Sequence, residues 1–158
     1  MVIDTGIFIE HLRAKNKTET TLYRLADSSD LFISAISIYE LYMGATNSDK
    51  IKDIEIITGG LTVLPFDDRV AISSAEIFLE LKRKNQLIEF RDIFIAATCI
   101  SNELPIATLN KKHFKRVDGL KMIQLAAILL LRPFLFFFTG RSPFPGCCRI
   151  PSQTVRET

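Results

Sequence analysis

Along residues 1–124, apolar runs too short for helices alternate with longer stretches whose apolar side chains recur at helical spacing. The short runs fall at 2–3, 31–34, 61–64, 104–107 and 120–124, and read as strands. A turn at Ser28-Ser29-Asp30 precedes the second, and Pro65 stops the third. Between them lie helical patterns at 7–13, 18–26, 37–46 (ending near Gly44) and 51–57 (closed by Gly59-Gly60). Asp67-Asp68 caps a long helix through Lys84, with Ala71, Ala75, Phe78 and Leu79 expected on its inner face. Asp92 opens another, with Ile93, Ala96, Ala97 and Ile100 as its buried stripe. Strands and helices in this order make an α/β fold: a mostly parallel, five-stranded sheet covered by helices on both faces, a three-layer α/β/α arrangement.

The chain changes character near residue 124. Residues 125–158 carry Arg132, Arg141, Arg149 and Arg156 against Glu157 alone, with no lysine, and hold five of the 12 phenylalanines. Two units are therefore expected: a folded domain over 1–124 and an apolar, Arg- and Pro-containing extension over 125–158 that is non-native or disordered. The 14 apolar-rich residues 125–138 would reach about 21 Å as a helix, short of a ~30 Å hydrocarbon layer, and Arg132-Pro133 interrupts them. No membrane association is expected. The opening residues have no basic leader, Cys99 reads as a small buried apolar side chain, and Cys147-Cys148 fit no zinc spacing. A cytoplasmic protein is expected. With a net charge of +2, the chain is not a general nucleic-acid coat.

In open α/β sheets, ligands bind beyond the carboxyl ends of the strands. Asp4 ends the first strand, Glu40 sits in the helix after the second, Asp92 opens the helix before the fourth, and Thr108 and Asn110 follow that strand. Each also has a plainer reading: Ser37-x-x-Glu40 as a capping box, Asp92 as an N-cap, Asn110 as a turn residue. If the carboxylates converge, they raise one another's pKa unless a cation neutralises them. Oxygen donors suit Mg²⁺ or Mn²⁺, which can activate water against a phosphodiester.

The same segments carry a resemblance. Ile3-Asp4-Thr5, Ser37-Ile38-Tyr39-Glu40-Leu41-Tyr42-x-Gly44, Arg91-Asp92-x-x-Ile95-Ala96-Ala97-Thr98 and Ala107-Thr108-x-Asn110-x-x-His113-Phe114 occur in the order and spacing of the PIN-domain ribonucleases of the VapC toxin type. The chain resembles these from Val2 to about Gln124. The resemblance implies a parallel five-stranded sheet, a Mg²⁺ or Mn²⁺ site, endonucleolytic cleavage of RNA, a cognate antitoxin and a homodimer. Carried over by position, Asp4, Glu40 and Asp92 are the metal ligands, and Thr108 and Asn110 orient the attacking water or a ligand. Asn110 stands where many relatives have Asp, and Gly6 where many have Asn.

Other candidates are weaker. His113 is expected as a surface or packing histidine, and His11 as helix surface. Lys111, Lys112, Lys115 and Arg116 form either a solvated face or a phosphate-steering patch. Gly59-Gly60 lacks the Gly-Lys-Ser/Thr of a phosphate loop. Two other classes stay in view: a non-enzymatic binding module on the same fold, and phosphotransfer through Asp4, which lacks an accompanying acidic pair.

Overall fold

The computed structural model describes residues 1–26 and 30–124. The expected turn at Ser28-Ser29, the extension 125–158 and its two cysteines lie outside the described residues.

Four parallel strands form the sheet: β1 (Val2–Ile3), β2 (Phe32–Ser34), β3 (Thr62–Leu64) and β4 (Ile106–Ala107), in the order β3-β2-β1-β4. The expected fifth strand is present as one parallel bridge. Met122 pairs with Ile106, whose N–H donates to Lys121 O at 2.9 Å and whose carbonyl accepts from Ile123 N–H at 2.8 Å. The sheet is thus four-stranded among the described residues, where five strands were expected.

Among the described residues, seven helices connect and cover it: α1 (Thr5–Arg13), α2 (Thr21–Leu25), α3 (Ala35–Met43), α4 (Ser48–Thr58), α5 (Asp68–Arg83), α6 (Phe90–Ser101) and α7 (Lys111–Phe114). The pattern expected over 18–26 splits into a 3-10 turn (Lys17–Glu19) and α2, because Thr20 caps α2 through its side chain.

Strand alternation sends successive residues to opposite faces. Val2 and Ile106 join one core with Leu64, Ile77, Leu81, Ile95 and Phe114; Ile3 and Ala107 join the other with Ile7, Phe8, Leu22, Ile33 and Ile54. Two cores on either side of one sheet give the expected three layers. Among the described residues, no helix is long and apolar enough to cross a membrane.

Two expectations about helix faces need correction. In α5 the buried residues are Val70, Ser74, Ile77 and Leu81. Ala71 and Ala75 are exposed, and Leu79 is 56% exposed. The helix carries two adjacent apolar stripes, and the polar Ser74 disguises the inner one. Ser74 is tolerated there because its hydroxyl donates to Val70 O at 2.7 Å. The second stripe, with Phe78, lines an open groove together with Phe66, Phe90 and Phe94. His11 is also not at the surface: it is 4% exposed, with Nδ1 2.6 Å from Thr20 Oγ1.

The α5 register yields a direct comparison. Ile77→Ala should lower unfolding stability by about 2–5 kcal/mol, whereas Leu79→Ala should stay within about 0.5 kcal/mol of the parent. Urea unfolding of both variants checks this; comparable losses would mean that the helix is rotated.

Candidate active site

β1 lies between β2 on one side and β4 on the other, so the chain reverses its direction of sheet growth between β1 and β4. That is where an open α/β sheet leaves a crevice at its carboxyl edge. The register pairs Ile3 with Ala107, which sets the next residues, Asp4 and Thr108, side by side. The Thr108 hydroxyl donates to Asp4 Oδ2 at 2.7 Å, and the Asn110 backbone N–H donates to Thr108 Oγ1 at 2.9 Å. Asp4 occupies the N-cap position of α1 but makes no capping bond with its side chain. Its carboxylate, only 5% exposed, is turned to the crevice instead.

The plainer readings of Glu40 and Asp92 do not hold. Ser34 caps α3, accepting from Ser37 N–H, so Glu40 lies in the second turn without a capping role. α6 begins at Phe90, with Glu89 at the N-cap position, so Asp92 is in the first turn and does not cap. There the helix dipole favours its negative charge. Glu40 Oε2 accepts from the Thr5 hydroxyl at 2.6 Å, and Glu40 Oε1 lies 3.2 Å from Arg91 Nη1. Asp92 Oδ2 takes the Asn110 side-chain amide at 3.3 Å and His113 Nδ1 at 2.5 Å.

Four of the five residues singled out in the sequence are joined by hydrogen bonds, and Glu40 and Asp92 are near enough for their charges to act on Asp4. Thr108 is bound to Asp4, and Asn110 ties that pair to Asp92. An aspartate at position 110 would set a fourth carboxylate against Asp92, where asparagine supplies a donor. A Cβ at Gly6 would meet Asp4 Oδ2 at 3.5 Å, ordinary contact distance, so a longer side chain at position 6 would cover the Asp4 carboxylate.

Three functional neighbours were not legible. Thr5 and Arg91 lie inside the recognised motifs, but nothing in their spacing indicates that they meet Glu40. His113 is three residues beyond Asn110, one helical turn, and that spacing was the available signal for a shared contact. Lys111, Lys112 and Lys115 are exposed on the adjoining α7, whereas Arg116 donates to Leu87 O at 3.2 Å.

Burial pushes the Asp4 carboxyl up to about 6, and the like charges of Asp92 and Glu40 add to this; the Thr108 hydrogen bond offsets only part. Burial likewise pushes the Cys99 thiol up to about 12, which leaves it an inert core side chain. Among the described residues, no three His, Cys, Asp or Glu side chains are gathered closely enough to close round an ion unaided. The donor set still fits Mg²⁺ or Mn²⁺. Every candidate ligand is a carboxylate oxygen, and such ions keep several waters and complete their shell with substrate phosphate.

The sequence profile of the PIN domain matches residues 1–120. Ribonuclease VapC of Rickettsia bellii is 32% identical over 135 residues, covering 79% of this chain and 96% of that protein. Ribonuclease VapC1 of Methanocaldococcus jannaschii is 27% identical over 124 residues, covering 77% and 85%. Among solved structures, a chain of DNA-bound VapBC from Salmonella typhimurium superposes with a TM-score of 0.66 at 27% identity, covering 77% of this chain and 95% of that one.

The Asp4 shift has a definite sign. Its folded pKa lies above the unfolded value, so the metal-free fold holds the proton more tightly and loses stability as pH rises from about 4 to about 6. The loss should be roughly 1–3 kcal/mol, and Asp4→Asn should flatten it. Unfolding in EDTA across pH 4–7 measures the difference between the two proteins; parallel profiles would contradict this origin.

Proposed function

The chain belongs to the PIN-domain family, in its VapC branch, and on that premise we propose that it is the metal-dependent endoribonuclease toxin of a toxin–antitoxin pair. The nuclease unit is residues 1–124. The observation that supports the reading is the hydrogen-bonded run Asp4–Thr108–Asn110–Asp92 at the strand ends where sheet growth reverses, with the charges of Asp92 and Glu40 acting on Asp4.

Asp4, Glu40 and Asp92 would hold Mg²⁺ or Mn²⁺. When bound, that ion supplies a Lewis acid for the scissile phosphate and a water of lowered pKa. The chain's own residues do the positioning. Thr108 fixes Asp4 and Asn110 and His113 fix Asp92, in each case through Oδ2 and leaving Oδ1 without a side-chain partner among the described residues, while Thr5 fixes Glu40 through Oε2 and Arg91 pairs with its Oε1. Partners of this kind orient ligands and typically matter 10–100-fold for metal affinity or activity. Lys111, Lys112 and Lys115 lie on the α7 surface beside Asn110 and His113, and provide the positive field that draws in a polyanion.

The partners are RNA as substrate, a second copy of the chain and a cognate antitoxin. A groove of about 270 Å³ between α1, α3 and α4 has apolar walls from Ile9, Leu12, Leu41 and Ile54, with Arg13, Lys50, Asp53 and Glu40 also in its lining. An apolar antitoxin segment lying in it would reach the catalytic margin. The Rickettsia felis and Neisseria gonorrhoeae neighbours were crystallised as the complexes VapBC2 and FitAcB.

Purified chain should cleave RNA with Mg²⁺ or Mn²⁺, lose that activity in EDTA, and lose it in Asp92→Asn while the variant still unfolds cooperatively. Gel assays of both proteins, prepared identically, check this. Undiminished cleavage by Asp92→Asn would remove Asp92 from the mechanism, and a folded but inactive parent would favour a binding module.

A further inference from the structure

Arg91 stands between Phe90 and Asp92 at the start of α6 and reaches across to α3. Its Nη1 atom is 3.2 Å from Glu40 Oε1, while the Thr5 hydroxyl holds Glu40 Oε2 at 2.6 Å. Both oxygens of Glu40 are therefore engaged, one by each neighbour. The two neighbours differ in kind. Thr5 is 5% exposed and fixed in the first turn of α1, whereas the Arg91 side chain is 46% exposed and makes a single-point ion pair. Single-contact pairs of this exposure are weak and readily exchanged.

We propose that Arg91 is a two-position residue: it neutralises Glu40 in the metal-free protein and turns to an RNA phosphate oxygen when the three acids are loaded. This rests on the metal-site reading above. An ion bound at Glu40 Oε1 would compete for the place that Arg91 Nη1 fills, and of the two neighbours of Glu40 the exposed Arg91 is the one able to leave. A divalent ion at Glu40 then repels the guanidinium from its former place. The substrate brings the compensating anion to the same margin, and a guanidinium fork matches phosphate oxygens. Arg91 thereby becomes a substrate-positioning residue whose resting contact lowers the affinity for the ion.

The sign of one measurement separates this role from simple support of Glu40. Mn²⁺ is titrated calorimetrically into full-length, metal-free parent, Arg91→Gln, Arg91→Lys and Asp92→Asn, and steady-state RNA cleavage is followed at several salt concentrations. Arg91→Gln should bind Mn²⁺ about tenfold more tightly, because one nearby positive charge is gone. Arg91→Lys should stay near the parent. For Arg91→Gln, KM for RNA should rise, and the salt slope of log(kcat/KM) should become shallower by about 0.7, one phosphate contact on a single strand. Unchanged or weaker Mn²⁺ binding by Arg91→Gln overturns the proposal, since a supporting residue weakens binding when removed. Equal Mn²⁺ binding by the parent and Asp92→Asn overturns instead the metal-site reading, and the proposal with it.

Discussion

Burying a carboxylate at the end of a central strand is the constraint on which this structure depends. Asp4 follows β1 and is almost wholly removed from water. A carboxylate in that position is costly unless donors and positive charge meet it. The donor comes from Thr108, 104 positions away in sequence, and only the parallel pairing of β1 with β4 brings the two to 2.7 Å. Asn110 N–H then holds Thr108, and the Asn110 side chain joins Asp92. One hydrogen-bonded run thus connects the ends of two strands to the first turn of α6.

This arrangement fixes the acids and neutralises only part of their charge. Thr108, Thr5 and Asn110 are uncharged, and among the described residues Arg91 forms an ion pair with Glu40 while the His113 ring hydrogen-bonds Asp92. Asp4 is met by the Thr108 hydroxyl and the Thr5 backbone N–H. Its carboxyl is pushed up to about 6 by burial, with the charges of Asp92 and Glu40 adding to the effect. A fold that keeps three acids at one edge with so little compensation sacrifices some stability at neutral pH. On the proposed reading a divalent cation would restore the missing charge, which would tie the electrostatic cost of the site to its chemistry.

The sheet layers were legible because short strands flanked by helical stripes have few alternative packings, and the strand-end position of Asp4 followed directly. Positions within helices were less accessible. α5 carries an apolar stripe through Ala71, Ala75 and Phe78 next to the buried one through Val70, Ser74 and Ile77, and hydrophobicity alone ranks the wrong one first. Cap assignments at Ser37 and Asp92 were each displaced by three residues, because the N-cap positions are held by the earlier polar residues Ser34 and Glu89. That Asp4, Glu40, Asp92 and Asn110 could meet at one sheet edge was expected from their places at strand and helix ends, and Thr108 was added by the resemblance. The contacts of Thr5, Arg91 and His113 were not expected, since they arise where α1, α3, α6 and α7 meet in space. The fifth strand shrank to a bridge because only Met122 pairs with β4.

The most direct test of the central claim is anomalous diffraction from crystals of the full chain grown with Mn²⁺. The account predicts a single dominant peak in the crevice, ligated by oxygens of Asp4, Glu40 and Asp92, with Thr108 and Thr5 still hydrogen-bonded to their carboxylates. A Mn²⁺ peak elsewhere with this crevice empty would contradict it.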